Sequence, residues 1–241
     1  MGKSKILVLV EGDKTDVKLM RHLLDVYGIL SGHEIVSYHT NIYTLYNEMF
    51  RDGDPSSIDL LQNLKEHEKD DKKKVLFDQY YSDKLLIFNL DPQDPQYSPE
   101  KIKEMVSYFT ESSDMGKLYI NYPMVEAFYH MKSIPDKDYY SYYVTMDELK
   151  NHQYKKRVTE ENRDKDYRRF AIDRKECNIV IRQNIEKANK ILQRKSDIDL
   201  PDLLDVLSKQ LEYLSEENKI FVLCTCAFYI LDYNSNLIKT D

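Results

Sequence analysis

Three acid-bearing segments stand out in the chain: VEGDKTD at residues 10–16, NLDPQD at 89–94 and NYPMVEAFYH at 121–130. Each follows a short apolar run, so Glu11, Asp91 and Glu126 are expected at or just beyond the carboxyl end of a strand. In open parallel α/β sheets that edge is where ligands bind. Oxygen-only donors of this kind suit Mg²⁺, with Mn²⁺ an alternative, because Mg²⁺ takes one or two carboxylates plus waters and substrate phosphates. Phosphodiester cleavage is the chemistry such a site serves best, the metal orienting an attacking water and neutralising charge on the phosphate oxygens. The same acids have a second reading as solvated loop residues or helix N-caps, with Asp13, Thr15 or Asp16 placed to cap a helix beginning near Val17. Three strand ends in succession favour the site. Gly12 fits either a tight turn or a close approach of backbone to phosphate. Lys14 is a candidate phosphate contact, but no GxxxxGK[ST] pattern surrounds it, which excludes a P-loop.

The elements that must position these acids can be read from periodicity. Lys5 to Val10 is continuously apolar, as in a central strand covered on both faces, and Val17, Met20, Leu23, Leu24 and Tyr27 recur at helical spacing directly after it. Glu34 to His39 reads as a second strand, with helical patterns over Ile42–Phe50 and Ile58–His67. The run EHEKDDKKK reads as a solvated helix end. Lys84 to Leu90 repeats the pattern of the first strand. Ser98 and Pro99 then open a helix with Ile102, Met105, Val106 and Phe109 on its apolar face. Lys117 to Ile120 is the next strand, and a further helix is expected to begin within NYPMVEAFYH. Strands alternating with helices of this length predict an α/β fold, a parallel sheet flanked by helices. From about Tyr154 the texture changes to charged and amphipathic segments, so residues 1–135 are expected as the sheet-bearing domain and 136–241 as a mainly helical C-terminal region.

With 241 residues and 41% hydrophobic content the chain can bury one good core and a small second lobe. A net charge of −7 supplies no global attraction to nucleic acid, so phosphate contacts must come from a local patch. Lys155, Lys156, Arg157, Arg163, Lys165, Arg168 and Arg169 offer one. The acids interleaved after them, Glu160, Glu161, Asp164 and Asp166, also fit a solvated helix laced with i,i+4 pairs. Cys177, Cys224 and Cys226 make no disulfide framework, nothing at Met1 to Leu9 resembles a charged signal region, and the apolar stretch 220–231 falls short of the roughly 20 residues of a membrane span. A soluble, cytoplasmic protein without a membrane partner is expected. The cysteines of CTC and the tyrosines of YYSYY (139–143) read as packing. His130, four residues after Glu126, would share its helix face.

The acid-bearing segments also resemble known motifs. ILVLVEGDKTD looks like the first motif of Toprim domains, and its Glu-Gly-x-Lys-Thr-acid spacing resembles the RloB-like branch, relatives of the OLD-family nucleases of bacterial phage-defence operons. LLIFNLDPQD resembles the strand that ends in the Toprim Asp-x-Asp motif. NYPMVEAFYH is similar to the Pro-x-x-Glu helix start that follows in RloB-like proteins. The resemblance covers roughly residues 5–135. It implies a Toprim-like, Mg²⁺-dependent nuclease, a hydrolase working beside an ABC-type or AAA-type ATPase in anti-phage defence. Under it Glu11 is the general acid/base or a metal ligand, and Asp91 is the second aspartate of Asp-x-Asp. The first aspartate falls on Asn89, whose amide oxygen ligates Mg²⁺ without adding charge, so Asp94 is expected to take over. The expected set is Glu11, Asp91 and Asp94 as catalytic residues and the same three with Glu126 around the metal, joined by Lys14, Lys155, Lys156 and Arg157, read from their charge, on nucleic acid. Asn89 and the acidic net charge support an alternative, a non-catalytic module that docks on an ATPase or on nucleic acid. A small-molecule phosphotransferase is a third reading, since a sheet edge alone does not fix the substrate.

Overall fold

The computed structural model of the protein describes residues 5–51, 53–194 and 199–238. Contacts divide the chain into two compact units, Met1–Phe88 with Glu100–Tyr119, and Asn89–Pro99 with Ile120–Asp241. The acid-bearing segments after residues 88 and 119 therefore count with the C-terminal region.

The first unit carries, in chain order, β1 (Lys5–Val10), α1 (Thr15–Val26), β2 (His33–Ser37), α2 (Ile42–Met49), α3 (Leu60–His67), α4 (Asp71–Lys74), β3 (Tyr81–Asn89), α5 (Pro99–Tyr108), β4 (Thr110–Glu111) and β5 (Gly116–Asn121). The last residues of β3 and β5 count with the second unit. Strand order is β2-β1-β3-β5-β4; β1 runs parallel to both neighbours, and the two-residue β4 pairs antiparallel with β5. The expected α/β fold with a mostly parallel sheet flanked by helices is what the chain forms. Apolar continuity explains the centre: Leu7 to Val10 are each at most 1% exposed, as a strand covered on both faces requires. Leu19, Met20, Leu23 and Leu24 of α1, and Ile102, Met105 and Val106 of α5, are buried at helical spacing. Truncating one of these leucines to alanine typically costs about 2–5 kcal/mol. β2 stops at Ser37 rather than continuing to His39, because His39 adopts a left-handed φ of 63°. Gly116 opens β5 at φ +128°, where a Cβ would lie 2.4 Å from Leu86 Cδ1, so only glycine fits.

The second unit is mainly helical: α6 (Met146–Lys150), α7 (Gln153–Glu161), α8 (Arg174–Ile191), α9 (Leu203–Glu217) and α10 (Tyr229–Tyr233), with β6 (Tyr143–Thr145) and β7 (Lys219–Phe221) forming a two-stranded antiparallel sheet. Helix α8 buries Cys177, Val180, Ile181, Ile185 and Ala188 and is capped by Asp173, whose side chain accepts the Glu176 N–H at 2.8 Å. The helix expected within NYPMVEAFYH is instead a single 3₁₀ turn, Val125–Tyr129. Met124 to Tyr129 are all buried, so the segment has no polar face to present as an amphipathic helix would. The apolar stretch after α9 divides into β7, a buried loop and α10. That loop is pinned by Thr225 Oγ1 donating to the Ile120 carbonyl at 2.7 Å. Among the described residues no helix is long and apolar enough to cross a membrane.

Candidate carboxylate site

The second unit brings Asp91, Asp94, Glu126 and Lys155 together. The chain leaving β3 keeps pairing beyond the strand: Leu90 N–H donates to the Asn121 carbonyl at 3.0 Å and Asp91 N–H to the Pro123 carbonyl at 3.2 Å. Asp91 then turns at φ 39°, a left-handed conformation that aspartate tolerates better than most residues. The Asp91 carbonyl accepts Asp94 N–H at 2.9 Å, and the Asp94 carboxylate accepts Gln96 N–H at 2.8 Å, so Asp94 shapes the same turn it was expected to arm. Some of Asp91's surface reaches solvent, but its carboxyl lies among densely packed atoms. Burial pushes that carboxyl up to about 6, with Glu126 and Asp94 adding to the rise while a hydrogen bond from Gln93 and the charge of Lys155 oppose it.

Asn89 has a positioning part. Its Oδ1 accepts the Val125 N–H at 2.8 Å inside the protein, fixing the start of the 3₁₀ turn that carries Glu126. An amide serves this role without adding a third carboxylate charge to a desolvated site. Glu126 is 4% exposed. Lys155 Nζ lies 3.2 Å from its Oε1, reaching in from a largely exposed stem on α7, whereas Oε2 is buried with no hydrogen-bond partner. Gln93, whose amide donates to Asp91 Oδ1 at 3.2 Å, was not singled out from the sequence; adjacency to Asp91 was its only signal.

Glu11 and Lys14 belong to the first unit. Glu11 is half-buried and held by its backbone, its N–H on the Ile87 carbonyl at 3.2 Å and its own carbonyl accepting His39 N–H at 3.0 Å. Gly12 has a local explanation: a Cβ there would lie 2.7 Å from Asp16 Oδ2, so the glycine makes room for the buried Asp16 carboxylate. Helix α1 starts after Lys14, an exposed residue that gives it no side-chain cap, and the Asp16 carboxylate lies buried in its first turn.

Of the basic segment, Lys155 faces the acids. Lys156 makes an exposed i,i+4 pair with Glu160 at 3.8 Å. Arg157 is built into the framework, bonded to Glu148 at 2.5 Å and to the Tyr143 carbonyl at 2.7 Å. His130 does not share a helix face with Glu126, since the turn between them is 3₁₀; its Nε2 meets Glu161 at 3.1 Å, and burial pushes the imidazole down to about 4. Cys224 and Cys226 are buried free thiols with sulfurs 3.3 Å apart. Tyr139 is fully buried, its hydroxyl donating to Asn184 at 2.6 Å, which is the packing role expected, whereas Tyr140 and Tyr142 are half-buried and Tyr143 is exposed.

Among the described residues no three His, Cys, Asp or Glu side chains are grouped as a ready-made metal cage. The donors still fit a hard cation in kind: two carboxylates, Asp91 and Glu126, the second with one oxygen paired to the Lys155 ammonium and the other unmatched. Mg²⁺ needs no all-protein cage, because waters and substrate phosphates complete its octahedron. No protein-family model, no curated protein and no solved structure matches the chain.

Proposed function

We propose that the protein is a Mg²⁺-dependent nuclease that hydrolyses nucleic-acid phosphodiester bonds. The observation that carries this reading is Glu126: a buried carboxylate beside Asp91, one oxygen paired with Lys155 and the other without a partner. Two carboxylates sharing one lysine in a desolvated position leave an excess of negative charge that is costly unless a further cation joins them, which supports a cation-binding role. Asp91 and Glu126 would hold the ion, with Asp94 beside them, and the ion when bound would supply charge neutralisation on the phosphate oxygens. Lys155 contributes a movable positive charge that can turn from Glu126 to a phosphate oxygen. The left-handed backbone of Asp91 fixes its carboxyl independently of the substrate, as preorganised sites require. On the resemblance, Glu11 acts as general acid/base or metal ligand, an ATPase of the ABC or AAA type is the partner, and anti-phage defence is the setting.

The test is cleavage of DNA, tRNA and mRNA with and without Mg²⁺ or Mn²⁺, comparing wild type with Asp91→Asn, Glu126→Gln and Glu11→Gln. Metal-dependent cleavage lost in the first two variants supports the reading; wild-type activity indifferent to both overturns it. The Asn89 to Val125 hydrogen bond and the Lys155 to Glu126 pair favour a second reading, in which these acids are satisfied internally and the protein is a non-catalytic module docking on an ATPase or nucleic acid. Binding without cleavage under every metal condition would establish that one.

A further inference from the structure

We propose that Ser37, His39 and Lys73 form a phosphate-binding site at the carboxyl end of β2, in the first unit. Tyr38 N–H donates to the Val10 carbonyl at 2.8 Å and His39 N–H to the Glu11 carbonyl at 3.0 Å, so the ladder between β1 and β2 continues past the end of β2. His39 then takes its left-handed φ of 63°, which histidine adopts more readily than most residues, and the imidazole meets the Ser37 hydroxyl, Nε2 to Oγ 3.0 Å. From α4, 34 residues further along, Lys73 Nζ reaches both groups, 3.1 Å from Ser37 Oγ and 2.5 Å from His39 Nε2.

An ammonium has donors only, so in this arrangement it uses the imidazole and hydroxyl lone pairs as acceptors in place of an acid. The acids nearest in sequence are engaged elsewhere: Asp71 pairs with Lys74 at 3.1 Å, and Asp70 accepts the Lys72 N–H at 2.9 Å. Lys65 likewise has its own acid, Asp78, at 2.5 Å. Lys73 makes no ion pair among the described residues, yet its charge is directed at a hydroxyl and an imidazole nitrogen on a left-handed turn. A cation held against neutral hydrogen-bonding groups at the carboxyl edge of a parallel sheet is the arrangement that an anion completes. Entry of a phosphate group would turn the ammonium and the serine hydroxyl onto its oxygens and relieve the close approach of Lys73 to the imidazole. Phosphate is the class that matches, being an acceptor on every oxygen and able to take several donors at once.

The site does not depend on the nuclease reading, because it lies in the first unit and is measured by binding. The phosphate can be a free ion or part of a nucleic-acid backbone, and two titrations separate these sources. Imidazole resonances of His39, assigned by their loss in His39→Gln, are followed in the full chain during addition of inorganic phosphate, and separately of a short single-stranded oligonucleotide, at constant ionic strength. A saturable shift with either probe, weakened at least tenfold by Lys73→Met and recovered in part by Lys73→Arg, supports the site and identifies its source. Circular dichroism of each variant guards against misfolding, and Ser37→Ala, smaller and buried, serves as a second variant. No saturable shift with either probe, or affinity unchanged in Lys73→Met, overturns it.

Discussion

The Asp91–Glu126–Lys155 cluster and the Ser37–His39–Lys73 cluster are opposite in charge logic. In the first, two buried acids share one lysine that comes in from solvent. In the second, a lysine meets two neutral groups and no acid. Both leave charge incompletely matched, and natural proteins rarely retain such mismatch without a use. The difference teaches which partner each would take: a cation for the buried carboxylates and an anion for the lysine.

The largest effect that would break this comparison is on cleavage. Glu126→Gln and Asp91→Asn should each lower metal-dependent cleavage by at least about 100-fold, since each removes a full charge from the ion while keeping the shape, and single-turnover assays read this directly. Asn89→Asp sharpens the assignment. Its oxygen can still accept the Val125 N–H, so the fold should persist, and the added charge should leave Mg²⁺ affinity equal or tighter by calorimetric titration.

Next comes acid stability, where two buried groups of the second unit oppose each other. Asp91 rises from 3.8 to about 6 on folding, so the native state holds the extra proton and stability falls as pH climbs through that window. His130 falls from 6.5 to about 4, so its contribution is present above 6.5 and is lost as pH drops towards 4. Each shift corresponds to about 3 kcal/mol, and over their common range the slopes largely cancel. Wild type should therefore unfold with nearly the same denaturant midpoint at pH 4.5 and 6. Asp91→Asn should unmask a loss of stability towards acid, and His130→Gln the reverse. A steep slope in wild type would show that one of the two shifts is misassigned.

The smallest effects separate the two lysines. Lys155→Met removes the cation from buried Glu126 and should cost about 1–2 kcal/mol, kept low because the ammonium itself is well solvated. Lys73→Met has no acid to strand and should change stability by less than about 0.5 kcal/mol. Equal losses in the two variants would mean that the charge environments differ less than their geometry indicates.

Much of the first unit was legible because its signals are local. β1 and the second half of β3, residues 85–88, read as apolar runs, and α5 announced itself through Ser98, Pro99 and the spacing of Ile102, Met105 and Val106; the three residues that open β3, 81–83, carry no such signal. The 3₁₀ turn at Val125–Tyr129 was not legible, since a run buried on every side carries no period by which a helix can be told from an irregular core segment. Asn89 drew attention as a departure from a motif, yet its hydrogen bond to Val125 spans 36 residues and depends on tertiary structure. The Ser37–His39–Lys73 cluster was invisible for the same reason, its lysine hidden within a charge run that reads as a solvated surface.

Lys187 on α8 carries a consequence for anyone mapping function by mutation. It is completely buried, donates to the Tyr139 and Tyr142 carbonyls at 2.7 Å each, and desolvation lowers its pKa well below that of an ordinary lysine. Methionine there would orphan two carbonyls, and arginine would not fit the same space. A saturation screen scored on activity alone would thus flag Lys187 as strongly as Glu126, although it touches no candidate ligand. Scoring abundance in parallel would tell them apart: the Lys187 variants should vanish from the soluble pool, and Glu126→Gln should accumulate intact and inert.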